Sequence, residues 1–90
     1  MISRDFTINN TLGLHARPSA QLTQVAARYE SEVFIAKNGR RVNAKSIMGV
    51  MMLAAGPGAT VTVDAEGIDE QQAVDAIGVL IESGFGEPHG

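Results

Sequence analysis

The sequence has no cysteine and no tryptophan, and only 4% of its residues are aromatic. Without thiols there is neither a disulfide framework nor a thiolate zinc site, and nucleophilic thiol chemistry is excluded outright. Positive charge is scarce too: 7 Lys and Arg face 10 Asp and Glu, a formal net charge of -3. Nucleic acids and anionic membranes are held largely by surplus Lys and Arg, so neither is an expected partner, and Arg40-Arg41 is too short a run to reverse the balance. No window approaches the roughly 18 apolar residues of a membrane span. The opening Met1-Ile2-Ser3-Arg4-Asp5 lacks the charged and then apolar layout of a signal segment. The expectation is a soluble, monomeric protein of the cytoplasm.

What is present suits one globular domain. Of 90 residues, 44% are hydrophobic and spread along the chain, and 19% are charged. That is enough for one modest core and leaves no room for a separate catalytic domain. Residues 1–90 read as a single unit, with Gly86-Glu87-Pro88-His89-Gly90 as a loose, flexible tail.

Ile2, Phe6 and Ile8 fall on one side of a period-two pattern interrupted by Arg4, which predicts a first strand ending in the turn-like Asn9-Asn10-Thr11. Leu22, Val25, Ala26 and Tyr29 recur at helical spacing, predicting a helix from about Ala16 to Tyr29 with Pro18 in its first turn. Glu32 to Lys37 is rich in β-formers, and Asn38-Gly39 signals a hairpin returning through Arg40 to Ala44. Ser46 is placed to cap a second helix through Leu53, stopped by Gly56-Pro57-Gly58. Thr60 to Ala65 alternates as a strand with one buried face. Asp69 and Gln72 form an approximate capping box for a third helix, whose apolar line is Ala73, Val74, Ile77, Leu80 and Ile81. The order β-α-β-β-α-β-α predicts an α+β fold, with helices covering one face of a mainly antiparallel sheet and the other face polar and wet.

The stretch Gly13-Leu14-His15-Ala16-Arg17-Pro18 puts a histidine where strand gives way to helix. The first N–H groups of a helix lack internal partners and carry partial positive charge, so anions bind there. A phosphoryl group on the His15 ring would lie near the free N–H groups of Ala16 and Arg17, with the Arg17 guanidinium able to grip its oxygens. Such a site suits a nucleophile that holds a phosphoryl group briefly. A metal or triad enzyme would need further ligands or bases, and the only other histidine, His89, sits in the tail. The plainer alternative makes His15 a polar loop residue and Arg17 a solvated helix charge. Residue types alone favour that alternative, because single histidines near helix ends are common.

Two separated segments shift the weights. Asn9 to Leu22, "NNTLGLHARPSAQL", resembles the active-site segment of the HPr family, the histidine-containing phosphocarriers of the phosphoenolpyruvate-dependent phosphotransferase system. "AKSIMGVMMLAA" from Ala44 resembles that family's second signature, and the likeness spans nearly the whole chain, including the closing "ESGFGE". The resemblance implies an open-faced β-sandwich of four antiparallel strands with three helices on one side. It implies that His15 accepts phosphate on Nδ1 from phosphorylated enzyme I and passes it to an enzyme IIA-type acceptor, with Arg17 steadying the group. Such a protein is a substrate and carrier for other enzymes, not a stand-alone catalyst, and no cofactor or metal is implied. The sugar-uptake and nitrogen-related branches of the system both remain open.

Ser46 to Leu53 is apolar nearly all round. Ile47, Val50 and Leu53 are expected to pack inward, yet so short a helix cannot bury every side. Some of Met48, Met51 and Met52 should therefore reach the surface, with Met48 and Met51 flanking the site. Partner binding is assigned to these two and to Ile47, which is thus given both an inward and a partner-facing role. Ser46 reads as an N-cap and, by resemblance, as a regulatory phosphosite for an HPr kinase/phosphorylase. Two departures from the family pattern stand out: Ser19, where relatives often carry alanine and whose hydroxyl could bond the backbone or the phosphoryl group, and the uncharged Gly56-Pro57-Gly58 turn. A competing reading is a regulatory binding module of the nitrogen-related branch, acting through protein contacts after losing the carrier role.

Overall fold

Alternating apolar residues become strand where one face can be buried, and the chain has four such segments. In the computed structural model, which describes residues 1–87, the elements are β1 (Ile2–Thr7), α1 (Ala16–Ala27), β2 (Glu32–Lys37), β3 (Arg40–Asn43), α2 (Ile47–Met52), β4 (Thr60–Glu66) and α3 (Glu70–Glu82), followed by a 3-10 turn over Gly84–Gly86. This is the order expected from periodicity, with ends drawn in: α1 stops at Ala27, β3 at Asn43 and α2 at Met52.

The strands form one antiparallel sheet in the order β1-β4-β2-β3. Register sets Phe6 opposite Val61, Val33 opposite Ala65 and Ile35 opposite Val63, so these side chains share one buried face. Onto it pack Leu22 and Ala26 of α1 and Ala73, Val74, Ile77 and Ile81 of α3. Each large apolar side chain buried this way contributes about 1.5–3 kcal/mol. Gly78 lets α3 approach the sheet: a Cβ there would lie 2.6 Å from Cε1 of Phe6. Arg4 breaks the apolar pattern of β1 because it reaches past the edge of the core to pair with Asp75 of α3.

The opposite face is polar, as expected, but not wet throughout. Asp64 of β4 is only 7% exposed. Arg41 closes over it with Nε 3.2 Å and Nη2 2.6 Å from its two carboxylate oxygens, while the guanidinium lies 3.7 Å from the centroid of the Phe34 ring. Cations also finish the helix ends, where carbonyls lack partners. Lys37 Nζ donates to the carbonyl oxygens of Leu53 (3.4 Å) and Ala54 (3.1 Å) after α2, and Lys45 Nζ donates to that of Tyr29 (2.8 Å) after α1.

Three expectations are corrected. The capping box does not form: Asp69 stands at the N-cap of α3 without a side-chain bond to that helix. Its carboxylate instead accepts from the N–H groups of Glu30 and Ser31, 2.9 Å each, and from the Ser31 hydroxyl, tying the loop after α1 to the start of α3. Glu70 takes over at the helix mouth by accepting from Gly67 N–H at 3.2 Å. Ile47 does not pack inward; it is exposed, because the buried stripe of α2 falls on Val50 and continues at Leu53. The loose tail does not begin at Gly86, since Gly86 belongs to the 3-10 turn and Glu87 folds back beside His15. The remaining tail, with His89, lies outside the described residues.

The Ser31 hydroxyl, followed by the Glu30 N–H, holds the Asp69 carboxyl below its ordinary value of 3.8. A carboxylate favoured by folding stabilises the protein above that value and loses its contribution as pH falls through its lowered folded-state pKa. Unfolding followed by urea at a series of pH values should therefore show Asp69→Ala less stable than wild type near neutrality. The two should converge as the solution is acidified below about pH 4. A gap that stays constant down to pH 2 would contradict this role.

Candidate phosphoryl site at the mouth of α1

His15 is the N-cap of α1, with extended backbone (φ -77°, ψ -169°). Its carbonyl accepts the first helical bond, from Ser19 N–H at 3.0 Å, and its side chain makes no capping bond. Because Pro18 has no N–H, the free donors of the first turn are those of Ala16 and Arg17. Both residues are exposed, and Arg17 forms no ion pair among the described residues. One turn of chain thus brings together the His15 ring, the two backbone donors of Ala16 and Arg17, and the Arg17 side chain.

The loop that aims this turn is fixed by backbone. Leu14 N–H donates to Ala55 O at 2.8 Å, and Gly13 has φ +69°. A Cβ on Gly13 would stand 2.3 Å from that same Ala55 oxygen, so both conformation and close approach demand glycine. Ser19 is fully buried, and its hydroxyl donates to Leu14 O at 3.0 Å.

Two residues escaped the sequence reading. Asn10, read only as turn-like, is buried, and its Nδ2 donates to Gly13 O at 2.8 Å and to Glu87 Oε2 at 3.2 Å. Both partners are acceptors only, which fixes the orientation of the amide. Glu87 Oε2 in turn stands 3.5 Å from Nε2 of His15. The available signal was the "SGFGE" segment: Gly84, Phe85 and Gly86 all have positive φ (68°, 58° and 71°), a left-handed turn that sends the chain back toward the site. Phe85 accepts a backbone conformation costing about 1–3 kcal/mol while its ring is buried in the core.

The second motif lies alongside. Ser46 is the N-cap of α2 and accepts from Gly49 N–H at 3.1 Å. Ile47, Met48, Met51 and Met52 are exposed on this helix, which packs against α1. Met48 is the barest of the four at 70%.

A histidine at a helix mouth, on a four-stranded antiparallel sheet backed by three helices, is the layout of a phosphocarrier domain. The family described as "PTS HPr component phosphorylation site" matches residues 2–83. The phosphocarrier protein HPr of Cupriavidus necator is 61% identical over 87 residues, covering 97% of this chain and 98% of its own. The HPr-like protein Crh of Halalkalibacterium halodurans is 49% identical over 82 residues, covering 91% and 98%. In three dimensions the crystal structure of HPr-C-His from Thermoanaerobacter tengcongensis superposes with a TM-score of 0.95 at 45% identity, covering 99% of this chain and 100% of that one. The chain belongs to the HPr family, the phosphocarriers of the phosphotransferase system. Among the described residues no helix is long and apolar enough to cross a membrane.

Proposed function

We propose that His15 accepts a phosphoryl group on Nδ1 from phosphorylated enzyme I and hands it to an enzyme IIA-type acceptor. The observation that carries this reading is the position of His15 as an N-cap whose own side chain leaves the Ala16 and Arg17 N–H groups unoccupied. A phosphoryl group on the ring would be met by those two donors and by positive helix potential, worth about 0.3–1 kcal/mol at an exposed terminus. The Arg17 guanidinium adds paired, charge-assisted donors. These contacts hold the group without burying it, which suits onward transfer: the carrier stabilises a reactive bond but does not enclose it. Exposed Ile47, Met48 and Met51 on the neighbouring helix supply adaptable apolar contact for successive partners.

Incubation with phosphoenolpyruvate and enzyme I should place one acid-labile phosphate on the chain, absent from His15→Ala. Arg17→Ala should still accept it, but transfer more slowly to the acceptor. An unlabelled wild type would sink the proposal.

Ser46 carries a second, regulatory reading, favoured by its exposure at the N-cap of the helix that bears the proposed docking side chains. A phosphate there would add roughly two negative charges beside that surface and repel an acidic partner. An HPr kinase/phosphorylase is the enzyme class that would place it. Ser46→Asp should keep the fold and slow phosphorylation of His15 by enzyme I; Ser46→Ala should leave that rate near wild type while losing about 1 kcal/mol of cap stability. Equal rates for Ser46→Asp and wild type would remove the regulatory reading.

A further inference from the structure

His15 has two ring nitrogens, and a carrier that must load one of them needs something to tell them apart. The described residue that can do so is Glu87. Its carboxylate Oε2 faces Nε2 of His15 at 3.5 Å, and its side chain is only 23% exposed. Asn10 holds that same oxygen from the other side through Nδ2 at 3.2 Å, and is itself buried and pinned to Gly13 O. The left-handed turn over Gly84–Gly86, anchored by the buried Phe85 ring, delivers Glu87 to this place. Asn9 fixes the same junction by donating from Nδ2 to Glu82 O at 3.2 Å. Glu87 is thus held by a chain of packed and bonded groups.

We infer that Glu87 is a positioning residue for His15, holding the hydrogen of the neutral ring on Nε2 and leaving the lone pair of Nδ1 exposed to phosphoryl donors. The inference rests on the proposal that His15 is the phosphoryl acceptor. A carboxylate only accepts hydrogen bonds, so one standing 3.5 Å from Nε2 favours the tautomer with its hydrogen there, and the partner of one ring nitrogen biases the state of the other. In the transfer itself the Nδ1 lone pair forms the N–P bond, and the bond from phosphorus to its donor breaks with its electron pair going to the donor. Nε2 keeps its hydrogen throughout. The loaded ring gains positive charge, and that charge faces Glu87. The same carboxylate shields Nε2 from a competing phosphoryl donor, so it enforces both orientation and choice of atom.

The test uses chemical phosphorylation of the purified chain by phosphoramidate, which needs no partner protein, with the product nitrogen identified by 31P and 15N NMR. Signals of His15 are separated from those of His89 by a His89→Gln background. Wild type should be modified on Nδ1. Glu87→Ala should raise the share of Nε2 product about fivefold, the ratio that one net hydrogen bond sets. Glu87→Gln, whose amide oxygen can still accept from Nε2–H, should return most of the selectivity. Thermal unfolding of each variant reports any general loss of fold. A Glu87→Ala product as selective as wild type, or a Glu87→Gln product no more selective than Glu87→Ala, would overturn the inference. Neither result would touch the carrier proposal, which stands or falls on labelling by enzyme I.

Discussion

The N–H groups at the first turn of α1 have no carbonyls to bond, and much of this small domain is arranged so that they stay open. An N-cap residue ordinarily folds its side chain back onto the N2 or N3 amide. His15 does not, and Ser19, the residue whose amide ends the first turn, sends its hydroxyl to Leu14 O instead. Pro18 removes one donor that would otherwise need satisfying. What remains is a pair of amides beside an exposed imidazole, held in place by a loop whose backbone is stitched to the segment after α2 through Leu14 and Ala55. The helix start is left incomplete, and the incompleteness is what can receive an anion.

The rest of the fold supplies rigidity to that point from three directions. The sheet presents a continuous apolar face on which α1 and α3 lie, and the missing side chain at Gly78 lets α3 settle against Phe6. The polar network of Asp69, Glu30 and Ser31 ties the far end of α1 to the start of α3. The near end of α1 is tied to the far end of α3 through Asn9, Asn10 and the left-handed closing turn. Both ends of the site helix are thereby referenced to the same neighbour. Precision of this kind matters to a carrier, because one ring must be offered in the same orientation to a donor and then to an acceptor.

The elements and their order were legible from periodicity and turn chemistry, and so was the placing of His15 and Arg17 at the mouth of α1. Most of what escaped the sequence was of one physical kind: polar side chains whose partners lie far along the chain. Asp69 looks like a cap by its spacing to Gln72, but a long-range bond to Ser31 outcompetes the local one. Ile47 fits an inward stripe on paper, yet it stands at the first position of a six-residue helix, and of that stripe only Val50 and Leu53 are buried. Glu87 sits in a glycine-rich segment whose composition reads as loose, and only the buried ring of Phe85 between the glycines signals an anchor. Asn10 bonds Gly13 three residues on, a local partner that a closer reading of "NNTLG" could have named, but its bond to Glu87 is visible only in three dimensions.

The central claim is that the first turn of α1 receives the phosphoryl group carried by His15. Amide 1H–15N spectra of the chain before and after phosphorylation test it most directly. The account predicts that the amide protons of Ala16 and Arg17 move furthest downfield of any in the chain, as charge-assisted bonds to phosphate oxygens form. Largest shifts elsewhere, with those two amides unmoved, would contradict it.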